Sequence, residues 1–149
     1  MAYWNDPRIP IIDPEALIAE WVAAMEDAAG QARTLAITKY IGKKRPEYAP
    51  LAASTIKAKG HDRPLIDQSR LRNSITAKVL VVRFGGQVKV IGIIGTNVEY
   101  ARRQELGFPG DAASPRTPAR PFLEPAVEEA RRRFEQRIGN APAKCVKYV

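Results

Sequence analysis

The chain has one histidine, His61, and it stands beside Asp62. A histidine–carboxylate pair is the first place to look for acid–base chemistry. Adjacent residues on a loop led by Gly60 do not orient one another, so the pair reads as surface loop. The single cysteine, Cys145, excludes an intrachain disulfide and any thiolate-rich zinc site. Gly92-Ile93-Ile94-Gly95 and Gly107…Gly110 lack the Lys-Ser/Thr partner of a phosphate cradle. Arg131-Arg132-Arg133 resembles a nucleic-acid patch until its helix is counted. Glu128 and Glu129 lie four residues before Arg132 and Arg133, as i,i+4 pairing and the helix dipole favour. Trp21 falls on an apolar stripe and reads as core, whereas Trp4 lies in a turn-rich arm and either packs on its own subunit or docks on a neighbour. The expectation is a protein that is not an enzyme, with no catalytic residue, cofactor or metal.

The 149 residues are one domain's worth, and a hydrophobic fraction of 45% is enough for a packed core. No signal peptide follows Met1, and no stretch approaches the roughly 20 apolar residues of a membrane span. A soluble chain without membrane contact is expected. The net charge is +8 but it is segregated. Residues 1–30 hold six acids against Arg8, while residues 31–89 hold thirteen Lys or Arg against Glu47, Asp62 and Asp67. Such a layout suits subunits packed acidic edge to basic edge; it also suits weak contact with DNA phosphates.

Residues 1–12 read as a turn-like arm. Asp13-Pro14-Glu15 is a helix start, with Asp at the N-cap and Pro in the first turn. Leu17, Ile18, Trp21, Val22, Met25, Ala28, Ala29, Ala32, Leu35 and Ala36 then recur at helical spacing to near Ile41-Gly42. Gly30 marks a bend or a close crossing in that helix. Residues 43–64 read as a basic loop with a short helix over roughly 50–58, either a solvated connector or a loop that orders against a neighbour. Asp67 and Ser69 cap one helical turn through Leu71. Ile75 to Phe84 and Val88 to Ile94 are β-rich runs joined by Gly85-Gly86, which predicts a hairpin. Val98 to Leu106 reads as a short helix with Tyr100, Ala101 and Leu106 inside. Residues 107–119 are a proline-spaced loop, Pro121 to Ile138 a second long helix, and 140–149 a tail that adds an edge strand or docks on a partner.

Three segments stand in fixed order. The first is Pro64-Leu65-Ile66-Asp67 with Arg70-Leu71-Arg72-Asn73-Ser74-Ile75. The second is Gly95-Thr96, Tyr100-Ala101 and Glu105-Leu106-Gly107. The third is Pro118-Ala119-Arg120-Pro121-Phe122-Leu123. Together with Thr55 to Gly60 this set, covering about residues 50 to 127, resembles the tail-completion and head–tail joining (virion morphogenesis, minor tail component) proteins of long-tailed bacteriophages. Gln68-Ser69, where Thr-Gly is common, and Gln104 depart from the family pattern. The resemblance implies an α+β fold, with a small antiparallel sheet flanked by a long N-terminal helix and a C-terminal helix. It implies a ring, a hexamer by analogy, in the neck or at the head-proximal tail end. Its partners would be copies of itself, the tail-tube protein and head-closure or connector proteins, with incidental contact to packaged DNA. It implies a place in the virion, and in the host cytoplasm during assembly. The assembly motif would comprise Leu65, Ile66, Asp67, Arg70, Leu71, Ser74, Ile75, Gly95, Tyr100, Ala101, Glu105, Gly107, Arg120, Pro121, Phe122 and Leu123.

Two finer expectations follow. The loop 107–119 is mobile in the free subunit and ordered by a neighbour, because its glycines and prolines offer little to bury. Arg120, held extended before Pro121, presents its guanidinium to Asp67 or Glu105, so that Arg120→Ala leaves a folded subunit that fails to complete tails. The alternative at that position is a stretch that only sets the entry angle of the helix. The alternative for the whole chain is a small basic nucleic-acid-binding protein. The neutral arginine helix and the 7% aromatic content weigh against it.

Overall fold

A computed structural model of the chain describes residues 10–43, 45–65, 69–113, 116–141 and 145–148. The fold is α+β, as expected. Helix α1 (Pro14–Leu35) starts where Asp13 accepts a hydrogen bond from the Glu15 N–H (3.2 Å) and Pro14 presets the first turn. It continues into a π-helical turn, Ala36–Ile41. A hairpin of β2 (Thr76–Phe84) and β3 (Gln87–Gly95) lies along α1. Helix α5 (Glu124–Gly139) packs against α1 as well. Short helices α2 (Ala53–Lys59), α3 (Arg70–Ser74) and α4 (Ala101–Leu106) complete the body.

The hairpin register is uninterrupted from Phe84↔Gln87 to Thr76↔Gly95. Gly85 and Gly86 make the two-residue turn with φ of 55° and 77°, the left-handed values that let the turn follow the strands' own twist. Gly92 lets β3 approach α1 closely, since a Cβ there would sit 2.6 Å from the Met25 sulfur. By alternation, Ala77, Val79, Val88, Val90 and Ile94 share this inner face and are half-buried. Arg83 closes it with paired bonds of 3.1 Å to Glu15.

The core lies at the other end, where the π-helical turn meets the hairpin base. Ala36, Tyr40, Ile41, Tyr48, Leu65, Leu71, Ile75, Val98, Ala101, Phe122 and Ala126 form one buried cluster. The three motif segments of the sequence therefore supply much of this core.

Several local expectations are corrected. The first twelve residues are not all turn: β1 (Pro10–Ile12) pairs antiparallel with β4 (Val146–Tyr148), so the tail adds a strand to the arm. Gly30 makes no close crossing; nothing lies within 4 Å of where its Cβ would be. Ser69 caps nothing with its side chain and itself takes a left-handed φ of 57°. Tyr100 and Leu106 are exposed, and Val98 joins Ala101 inside instead. Helix α5 starts at Glu124, three residues later than Pro121. Glu128 does bridge to Arg132 (4.0 Å), but Glu129 turns away from Arg133 to Lys39, 2.6 Å distant, which holds its carboxyl below the usual range. Trp4 and the arm before Pro10 lie outside the described residues.

Candidate assembly interface

The late start of α5 has a physical cause in α4. Helix N-termini carry free N–H groups and a positive end. Glu105 supplies what the local sequence lacks: its carboxylate accepts from the N–H groups of Phe122 (2.8 Å), Leu123 (3.1 Å) and Glu124 (2.8 Å). The cap comes from 17 to 19 residues away, so it fixes one helix on another. Phe122, fully buried, then enters the core.

Arg120 is the one charged residue buried among the described residues, at 6% exposure. Its backbone N–H donates to the Gln104 carbonyl (2.6 Å), and its guanidinium to the Gln104 side chain (3.4 Å) and the Ala49 carbonyl (3.1 Å). Its Nε has no partner in the described residues. Desolvation pulls its pKa down, against a smaller opposing effect of Tyr48. The expected reach to Glu105 is corrected: that carboxylate is occupied by α5, and Arg120 holds neutral oxygens. Asp67, the other expected acceptor, lies outside the described residues, as does Ile66. An Arg120 so buried serves the fold, and its removal is not silent for stability. Tyr48 locks the same corner, donating to the Pro121 carbonyl (2.7 Å); burial pushes its hydroxyl up to about 12.

The remaining motif residues divide in the same way. Leu65, Leu71, Ile75 and Ala101 are buried. The Ser74 hydroxyl bonds the Leu71 carbonyl (2.8 Å) and the Thr96 hydroxyl at the end of β3, beside Gly95. Gly107, with φ 76°, presses on the Ala119 backbone, and Phe108 and Thr117 exchange two backbone bonds of 2.7 and 2.8 Å. The subunit itself thus closes the base of the 107–119 loop, with no neighbour needed there. Arg70 and Tyr100 line a polar cleft with Lys59, Leu65 and Gln104, and Leu123 sits beside Glu105. His61 bonds its own loop, accepting from the Arg63 N–H (3.3 Å). Among the described residues no group of three or more His, Cys, Asp or Glu is placed to hold a metal.

The surface that stands out was not in the sequence-derived set. On the outer face of the hairpin, alternation places Leu80, Val82, Phe84, Ile91 and Ile93, all exposed, with Phe84 at 86%. Lys78 and Lys89 share that face. From Gln68 to Val98 the sequence has five Lys or Arg and no acid. Monomeric proteins rarely leave a contiguous apolar patch of this kind uncovered unless something binds it. The signal was present in Val79-Leu80-Val81-Val82 and Val90-Ile91. A strand with one wet face alternates polar and apolar, and these runs do not. No helix is long and apolar enough to cross a membrane among the described residues.

Fold and site together define a small α+β protein with a packed base and an apolar, basic hairpin. Compared with protein-family models, curated protein sequences and solved structures, the chain matches none.

Proposed function

We propose that this chain is a structural virion protein of a long-tailed phage or prophage, a ring-forming subunit at the head–tail junction or head-proximal tail end. The observation that carries the reading is the uncovered outer face of the hairpin, five large apolar side chains between two lysines. A surface of that kind is made to be covered by protein. The collinear motif segments support the family, and their convergence on one core explains why such segments would keep their order. Tail-tube and head-closure proteins are the partners beyond the chain itself, and the protein is not an enzyme.

The segregated charges meet in part within the subunit. Part of the acidic block is used internally, in Glu15–Arg83 (3.1 Å), Glu20–Arg137 (3.3 Å) and Asp27–Arg137 (3.6 Å). Glu26 remains exposed on α1. Cryo-electron microscopy of particles made with the tagged chain tests the proposal: density for the subunit as a ring in the neck or upper tail is expected. A chain absent from particles, yet binding duplex DNA with a steep salt dependence, would show it to be a nucleic-acid-binding protein instead.

A further inference from the structure

We infer that copies of this chain join head to tail through the hairpin, the open edge of β2 in one copy pairing with the open edge of β3 in the next. The inference rests on the ring reading and deepens it by naming the contact. Each strand is nine residues long and, among the described residues, pairs only with the other. Natural sheets blunt such edges with prolines, bulges, charged side chains, short strands or covering elements. Here neither strand contains proline and the register runs without a bulge; of the charges on the two strands, Arg83 is taken up by Glu15, and Lys78 and Lys89 stand on the outer face. The β3 edge also stays clear of α5, because an apolar cleft of about 230 Å³ separates them, lined by Gly92, Ile94, Val127 and Phe134.

A second copy is the occupant that closes the hydrogen-bond ledger. Pairing β2 with β2, or β3 with β3, leaves the other two edges open, whereas head-to-tail pairing around a ring leaves none. Rotation about an axis parallel to the strands keeps their direction, so β2 of the neighbour runs antiparallel to β3, continuing the hairpin's own pattern. Size argues for a ring over a dimer. An edge of nine residues is about 30 Å long and about 10 Å deep, roughly 300 Å² per contact, against about 800 Å² per partner in a stable pair. One contact alone is weak, and closure makes two per subunit. Shape then sets the curvature. Two strands span about 10 Å while the α1–α5 pair beneath spans nearly 20 Å at a layer spacing of about 10 Å. Neighbours sharing one sheet therefore lean with their outer faces inward, and a hexamer is the ring size that the family resemblance implies. The outer faces, with Leu80, Val82 and Ile91 and with Lys78 and Lys89 among them, then line the inner side of the ring.

The register identifies the outward N–H groups. With Phe84 and Gln87 as the bonded pair at the turn, Val81 and Val90 direct theirs away from the hairpin. Val81→Pro and Val90→Pro therefore each block one edge and spare the hairpin's own bonds. Sedimentation of the wild type as concentration rises should show monomers passing to a closed ring. Each proline variant, melting cooperatively like the wild type, should stay monomeric. Should either fail to fold, single cysteines at Leu80 and at Ile91, each with Cys145→Ala, replace them. Oxidised together they should give mixed disulfides in excess of either homodimer. Rings that survive both prolines, or homodimers that dominate the disulfides, overturn the edge pairing and leave the ring reading standing. A wild type that stays monomeric at every concentration and is missing from particles overturns both.

Discussion

The two ends of the hairpin obey different rules. At its base Ile75, Leu71, Phe122 and Ala126 are buried, and the start of α5 and the Tyr48 corner are tied by named bonds. At its tip Phe84 stands in solvent on a Gly-Gly turn, with apolar neighbours on both strands. The same residue types occupy both regions, so hydrophobicity does not separate them. What separates them is cover: the base packs against the rest of the subunit, and among the described residues nothing covers the outer face of the tip. The base accounts for stability, and the tip is the surface on which the proposed association would fall.

Mutations break this contrast most sharply at the base. Phe122→Ala should cost about 3–5 kcal/mol, read as a fall in the denaturation midpoint, because its ring is fully buried. Arg120→Ala should cost about 3 kcal/mol, since it opens a cavity and strips the Ala49 and Gln104 oxygens of their donor. That loss appears in the melting of the isolated subunit, before any assembly is attempted. Glu105→Ala should cost about 2 kcal/mol by uncapping α5. Hydrogen exchange should show the gain in rate at residues 122–124 first.

Tyr48 sharpens the contrast through pH. Burial raises its hydroxyl from 10.0 to about 12 in the folded chain. The folded state therefore holds this proton after the unfolded state has released it. The associated stability is full below pH 10 and drains away as pH rises toward about 12, by up to about 3 kcal/mol. Tyr48→Phe should remove that alkaline slope while losing about 1 kcal/mol at neutral pH with the bond to Pro121. At the tip the expected effect on stability is smallest: Phe84→Thr should leave melting within about 0.5 kcal/mol of wild type.

The sequence made the regular elements legible because their signals are local. Asp13-Pro14 starts α1, and Gly85-Gly86 turns the hairpin, through backbone chemistry confined to a few residues. The start of α5 lies three residues beyond Pro121 because its cap, Glu105, acts across 17 to 19 positions. Tyr100 and Leu106 face solvent against expectation because a short helix offers too few turns to show which face is wet. The motif residues were legible as a set but not in their roles. Leu65, Ala101 and Phe122 meet only in space, and spacing along the chain says nothing about burial. The outer face of the hairpin was missed for the opposite reason. Uniformly apolar strands read as covered on both faces, and only coordinates reveal that one cover is absent.

The assignment of the tip to association is tested most directly by a variant that changes the outer face alone. Leu80→Thr, Phe84→Thr, Ile91→Thr and Ile93→Thr together keep strand-forming residues at all four positions. Its melting temperature should lie within about 4 °C of wild type, and sedimentation should find it monomeric at concentrations where the wild type forms rings. A variant that assembles as the wild type does, with the same mass and at the same concentration, would contradict the account.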